Sequence, residues 1–434
     1  MHSLSSWAVS SDQFCVKNDL YKVFSSLVSN TSIGITIEKN GKVVFPDSGS
    51  PYDLGWGKSW CRDSIEGESL IIHEAQYWSS WKSRQKLNAA FLGGIEVRLE
   101  QAGRNDTNFG INLVSRPEDI SQIPNSASWM TDLLADSDLS LNQICIPGSH
   151  DSGTYAISTY SGLDPEMDEA LKGIFDIAGN ALALPIKDIV KAWSITQTLN
   201  TYNQLKSGIR YLDIRARMVN GTLYTAHGLL GATIADMLDE IRRFLDEHPK
   251  EVVIFDIQEL LGMSQQDIDQ LYTLLNKYFA GQIAPSNMTS STPISDFQEK
   301  GVQLIVVSNA WPNGYSNWQR GQNLSSPWFD QNEPYPLLQK LAQGIRYRSN
   351  DRFYVSQVVL TSRDSDMKLM VLGTSPANLW ELDNTLRYRS GFAQYLHNAA
   401  RASGQLSNIM LQDFPESGDL YNNCMQENIR RLEQ

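Results

Sequence analysis

Apolar and polar positions change rhythm once along the chain. Up to about residue 115, short β-rich runs dominate: 32–38 (SIGITIE), 42–45 (KVVF), 69–73 (SLIIH) and 94–100 (GIEVRLE). Turn formers separate them, among them Asn40-Gly41 and the cluster at 47–51. This pattern predicts a small, all-β, sandwich-like domain over residues 1–115. The polar stretch 116–127, with Pro117 and Pro124, reads as a linker. From 128 to 434, short apolar runs alternate with helical periodicity. The expected strands are 143–146, 211–215, 223–227, 252–257, 304–307, 353–359 and 408–412. Residues 234–247 place Ile234, Leu238, Ile241 and Leu245 on one helical face, with Asp239 and Arg243 at i,i+4 on another. Buried strands joined by helices predict an α/β layer, and this many units permits a (β/α) barrel.

Composition narrows the function classes. The net charge of -13 excludes wholesale attraction to nucleic acid or anionic lipid. No run approaches the roughly 18 apolar residues of a membrane span, and residues 1–13 show no signal-peptide core. The expectation is a cytoplasmic or peripheral membrane protein, or one secreted by a non-classical route. Cys15, Cys61, Cys145 and Cys424 are widely spaced, without a C-x-x-C. They read as buried free thiols, with a Cys15–Cys61 disulfide as the alternative. Trp56, Trp60, Trp78 and Trp81 make the N-terminal part aromatic-rich, which fits a core or a surface for a glycan or lipid ligand.

Candidate chemistry gathers at strand ends. In CIPGSHDSGTY, an apolar run stops at Pro147-Gly148, and His150 and Asp151 follow in a Gly/Ser turn. In GIRYLDIRAR, Asp213 and Arg215 stand at i,i+2, which puts both on one side of a strand. His227 closes LYTAHG. Catalytic groups of parallel α/β proteins collect at carboxyl ends of strands. Two imidazoles, a guanidinium and carboxylates suit acid–base chemistry at a phosphate.

Together with QLKSG, EIRRFLDEHPKEVVIFDI and SNIMLQDF, these blocks resemble the phosphatidylinositol-specific phospholipase C X-domain family in its compact, metal-independent form, over about residues 125–430. The resemblance implies an irregular TIM-type barrel. It implies that His150, oriented by Asp413, takes the proton of the inositol 2-hydroxyl. That oxygen attacks phosphorus, and His227, supported by Asp151, protonates the departing diacylglycerol, leaving a cyclic inositol phosphate. Arg215 would clamp the phosphate, held by Asp213. Asp151, Tyr211 and Gln258 stand where the calcium-dependent branch has an Asn and two Glu, so no cofactor is expected and calcium is the alternative. The compact enzymes grip inositol with a Lys, an Arg, an Asp and a Tyr. The corresponding positions here are Gln258 or Glu259, Asn309, Gln357 and Val359, so the substrate site is expected around Gln258, Asn309 and Gln357. Trp311 and Trp318, in the aromatic segment 309–328, would form a rim on the phospholipid surface, and the apolar segment 171–192 a lid, a membrane helix or core. The alternatives are a phosphodiesterase for another lipid or a glycerophosphodiester, and a lectin or membrane-binding protein with a degenerate barrel.

Overall fold

A computed structural model describes residues 12–18, 33–48, 50–55, 58–76, 80–101, 109–115, 123–135, 137–158, 160–162, 164, 186–363, 378–383, 389–418 and 420–434. They divide into two compact units, Met1–Asp119 with Arg387–Gln405, and Ile120–Leu386 with Leu406–Gln434.

Among the described residues, the first unit holds nine strands: β1 Gln13–Asn18, β2 Ile33–Lys39, β3 Lys42–Phe45, β4 Tyr52–Asp53, β5 Ser59–Asp63, β6 Glu68–Gln76, β7 Ser80–Asn88, β8 Ile95–Gln101 and β9 Phe109–Ser115. They form two sheets, in the order β5-β1-β8-β9 and β3-β2-β6-β7 with β4 beside β2. All pairs are antiparallel except β1 with β8. The period-two pattern explains the burial. Ile33, Ile35 and Ile37 on β2, and Ile95, Val97 and Leu99 on β8, are all fully buried. Trp60 is half-buried and stacks on Phe45 at 4.8 Å. Trp56, Trp78 and the side chain of Trp81 lie outside the described residues.

Helix Arg389–Ala402 belongs to this unit, although the sequence pattern assigns it to the barrel region. Tyr395 meets Phe91 edge-on at 5.3 Å, and its hydroxyl accepts from the Asn88 amide. Asn398 donates to the carbonyls of Phe91 and Gly93. Gly391 permits the approach, since a Cβ there would lie 2.1 Å from the Leu113 carbonyl oxygen.

The second unit is an eight-stranded, all-parallel, nearly closed barrel. Its strands include β10 Ile146–Ser149, β11 Tyr211–Val219, β14 Val253–Leu261, β15 Leu304–Ser308, β16 Trp318–Gln319, β17 Leu324–Ser325, β18 Phe353–Val358 and β19 Ile409–Gln412. The order is β16-β15-β14-β11-β10-β19-β18-β17, and helix Arg320–Asn323 joins its two ends. The hairpin β12 Thr222–His227 and β13 Leu229–Thr233 hangs antiparallel on β11. His227 thus closes a hairpin strand, not a parallel barrel strand. The first barrel strand begins later than the apolar run suggests, because Leu141–Gln143 turns as a 3-10 helix. Ile234–Glu247 is the expected helix, capped by the Thr233 hydroxyl.

The cysteines correct the free-thiol reading. Cys15 and Cys61 face each other across β1 and β5 with sulfurs at 1.98 Å, and Cys145 pairs with Cys424 at 2.10 Å. Of segment 171–192, only its end, within helix Ile186–Ser194, lies among the described residues. Among those residues, no helix is long and apolar enough to cross a membrane.

Candidate active site

Strand register assembles the site. Ser149 pairs with Gln412 on β19 and with Leu212 on β11. The next residue along each strand is therefore brought to the same mouth: Asp413 on one side of His150, Asp213 on the other. The imidazole Nδ1 lies 2.8 Å from Asp413 Oδ1. Its Nε2 lies 3.5 Å from Asp151 Oδ2 and 3.9 Å from Asp213 Oδ2.

The His150–Asp151 turn is locked against the hairpin that carries His227. The Ala232 amide donates to the Gly153 carbonyl, and Thr225 lies so close that a Cβ on Gly153 would sit 2.3 Å from its hydroxyl. That fit sets the ring centroids of His150 and His227 6.2 Å apart. His227 Nε2 lies 3.6 Å from the same Asp151 Oδ2, and its Nδ1 contacts the Ser194 carbonyl at 2.9 Å. The carbonyl only accepts, so Nδ1 carries a hydrogen and Nε2 is the atom left facing Asp151.

Arg215 Nε lies 2.9 Å from Asp151 Oδ1, so Asp151 holds the guanidinium, and its charge also acts on Asp213. The register of β14 against β11 slips at this level, with Gln258 as the extra residue on β14. Asp213 accepts from the Asp151 amide at 3.3 Å. It also accepts from Gln258, whose amide nitrogen, in the orientation that satisfies both groups, reaches its two oxygens at 2.6 and 3.1 Å.

Burial and charge set the protonation. Burial pulls the His150 imidazole down, yet Asp151, Asp413 and Asp213 together outweigh it and raise it to about 9. Asp151 is pushed up by burial, but Arg215, His150 and His227 hold it below the usual carboxylate range. Asp213 is pushed up to about 7 by burial and by Asp151, against the pull of His150 and Arg215. His150, Asp151 and Asp213 also offer ligand atoms within 4.8 Å of one another.

Trp328, which closes the aromatic segment 309–328, is 45% exposed and lies parallel to the His150 ring with centroids 6.1 Å apart. Deeper, Tyr211 donates to Asp256 at 2.5 Å, and Arg320 Nε reaches both Asp256 oxygens at 3.1 and 3.2 Å. Burial raises Asp256, and Arg320 and Tyr211 oppose that rise. Trp318 is corrected: it is 2% exposed, stacks on Phe353 at 6.0 Å and donates to the Pro285 carbonyl, so it belongs to the core. Gln357 is buried, with its amide donated to Ser326. Asn309 is exposed beyond β15, and Trp311 is 74% exposed.

No family model matches the chain. Human "PI-PLC X domain-containing protein 3" is 30% identical over 341 residues, covering 75% of this chain and 95% of that protein. The bovine protein of the same name is 29% identical over the same shares. Human "PI-PLC X domain-containing protein 2" is 30% identical over 245 residues, 55% of this chain and 78% of its own. Among solved structures, the phosphatidylinositol-specific phospholipase C of Listeria monocytogenes is 18% identical, with a TM-score of 0.47 over 70% of this chain and 99% of that one. A Staphylococcus aureus enzyme of the same description is 16% identical, with a TM-score of 0.46 over 70% and 98%.

Proposed function

The chain belongs to the PI-PLC X-domain family, and from that premise we propose that it is a phosphodiesterase that splits phosphatidylinositol into diacylglycerol and a cyclic inositol phosphate. One observation carries the reading: the Nε2 atoms of His150 and His227 both lie within 3.6 Å of one Asp151 oxygen, while Arg215 holds the other oxygen. Two proton carriers and a fixed cation thus surround one small volume.

In the proposed reaction His150 Nε2 takes the proton of the hydroxyl next to the phosphate. The oxygen bonds to phosphorus, the bond to the glycerol oxygen breaks, and His227 Nε2 gives that oxygen its proton. Asp413 orients the base from Nδ1. Arg215 faces charge that grows on the phosphoryl oxygens. With His150 at about 9, its neutral, base-competent form increases as pH rises through that value. Arg215 supplies the positive charge a metal would otherwise bring. A calcium ion wants six to eight oxygen ligands, whereas the nearby donor cluster offers one imidazole and two carboxylates, one of them engaged by Arg215. These features support a metal-independent site.

A lipid surface is the proposed partner. Tyr160, Trp311, Trp328 and Trp380 are exposed, and each follows the carboxyl end of a barrel strand, the end that carries the histidines. A second reading is a different polar headgroup. It is favoured by the amides of Gln258 and Gln357 and the buried Asp256–Arg320 pair, in place of the charged set expected for inositol.

Phosphorus NMR of phosphatidylinositol vesicles tests the proposal. The expected product is a five-membered cyclic phosphate, lost in His150→Ala and His227→Ala. Turnover of another headgroup, but not of phosphatidylinositol, would select the second reading. Native turnover in either alanine variant would end the mechanism.

A further inference from the structure

Both imidazoles, Asp151 and the residue after Asp413 are tied to one short buried stretch that carries no ionisable side chain. Residues 194–197, Ser-Ile-Thr-Gln, follow directly from helix Ile186–Ser194. Ser194, Thr196 and Gln197 are fully buried. The Ser194 carbonyl meets His227 Nδ1 at 2.9 Å. The Thr196 hydroxyl donates to the His150 carbonyl at 2.7 Å, and Gln197 Nε2 donates to the Asp151 carbonyl at 2.9 Å. The Thr196 carbonyl accepts from the Phe414 amide, next to Asp413. Thr196 is itself fixed from behind. Its amide donates to the Thr154 hydroxyl at 3.0 Å, and the two hydroxyls lie 2.7 Å apart.

Backbone conformation gives these contacts their meaning. Among the described residues, five non-glycine positions have positive φ: Asn40, Asp151, Asn220, Asp330 and Phe414. Asn and Asp tolerate this region in turns; a bulky Phe does so rarely. Asp151 and Phe414, both at φ 43°, are the two that residues 196–197 hold. The Asp151 turn aims one carboxylate at both imidazoles. The Phe414 turn follows at once on the residue that orients His150. Such conformations persist only where the surroundings over-determine them, and they gather at functional sites.

We propose that residues 194–197 form a clamp that sets the relative placement of the two imidazoles and their carboxylates. Thr196 and Gln197 are positioning residues: they act through the left-handed turns at Asp151 and Phe414. The Ser194 carbonyl keeps the hydrogen on His227 Nδ1, so that the proton exchanged with substrate is the one at Nε2. The kinetic consequence rests on the phosphodiesterase reading; the structural consequence does not.

The test uses the full chain with Thr196→Val, which keeps the shape and removes the donor, and Thr196→Ser, which keeps the donor. Two signals are read. One is the set of ring-nitrogen and Nδ1–H resonances of His150 and His227 in protein labelled with nitrogen-15 histidine. The other is steady-state cleavage of phosphatidylinositol vesicles. Thr196→Val is expected to move the His150 resonances and to lower kcat by about 10- to 100-fold, with KM within about threefold, as for a sub-ångström misplacement of reacting groups. Thr196→Ser is expected to restore both. Native resonances in Thr196→Val, or equal damage from Ser and Val, would overturn the clamp. Should Thr196→Val fail to fold, Gln197→Glu replaces the donor facing the Asp151 carbonyl with an acceptor and is judged by the same signals. If the native chain cleaves no phosphatidylinositol, the functional reading fails on its own and the imidazole resonances alone decide the clamp.

Discussion

Replacing Asp413 with Asn tests the electrostatics of the site most directly. The side chain is buried and its Oδ1 lies 2.8 Å from His150 Nδ1. Asn keeps the shape and an acceptor oxygen but removes the charge. An opposite charge at this distance is worth ~1–3 pKa units. The titration of His150, raised to about 9 in the native site, should therefore fall by that amount. The sign is fixed by the chemistry: a general base works in its neutral form, so kcat/KM rises with pH through the titration of His150. In Asp413→Asn the acid limb should move down by ~1–3 pH units. The plateau should fall by about 10²- to 10³-fold, because the ring is a weaker base and loses its orienting partner. The variant thus has more neutral imidazole at pH 7 and still less activity. The assay is kcat/KM on phosphatidylinositol in mixed micelles between pH 5.5 and 10. An acid limb at the native pH would show that Asp413 does not set the protonation of His150. A native plateau would show that it does not orient it.

Three further outcomes are expected. Asp213 is fully buried and pushed up to about 7 from an ordinary value of 3.8, so its burial costs stability fully above pH 7, and the cost vanishes below the ordinary value, where folded and unfolded chains both carry the proton. Asp213→Asn should raise the melting temperature at pH 8, by up to about 4 kcal/mol of stability, with the gain fading towards pH 4 and activity lost; calorimetry showing a pH-independent change would refute this. EDTA should leave turnover within about twofold, and loss in EDTA restored by calcium would refute the metal-independent site. Trp311→Ala should weaken vesicle binding by roughly 3- to 10-fold without slowing a water-soluble diester; unchanged sedimentation with vesicles would remove this residue from the docking face.

The barrel was readable because apolar runs such as 304–307 and 353–359 sit entirely in its interior, and β15 and β18 fall within a residue of them. His150, Asp151, Asp213, Arg215, His227 and Asp413 were readable from local blocks, and the structure brings all six to one mouth. Partnerships were harder. The i,i+2 spacing of Asp213 and Arg215 says nothing of the ion pair that Arg215 makes with Asp151 on the neighbouring strand's turn. Trp318 lies in a Gly/Asn-rich stretch that looks like surface loop; its burial depends on Phe353, 35 positions away. Arg320 reaches Asp256 from the closure between β16 and β17, and no local signal marks it. The Cys145–Cys424 pair spans 279 positions, beyond any spacing rule.

Helix Arg389–Ala402 has a consequence for biogenesis. The β unit at the front of the chain takes one of its packed elements from near the back. On a ribosome, its sheets emerge early but must wait for some 270 later residues before Tyr395 can reach Phe91. Cutting the polypeptide at 116–127 would therefore not yield two intact halves. The front fragment would expose the bed of a missing helix, and the rear fragment would carry that helix with nowhere to lie. Maturation of this domain is thus tied to synthesis of the chain through Ala402.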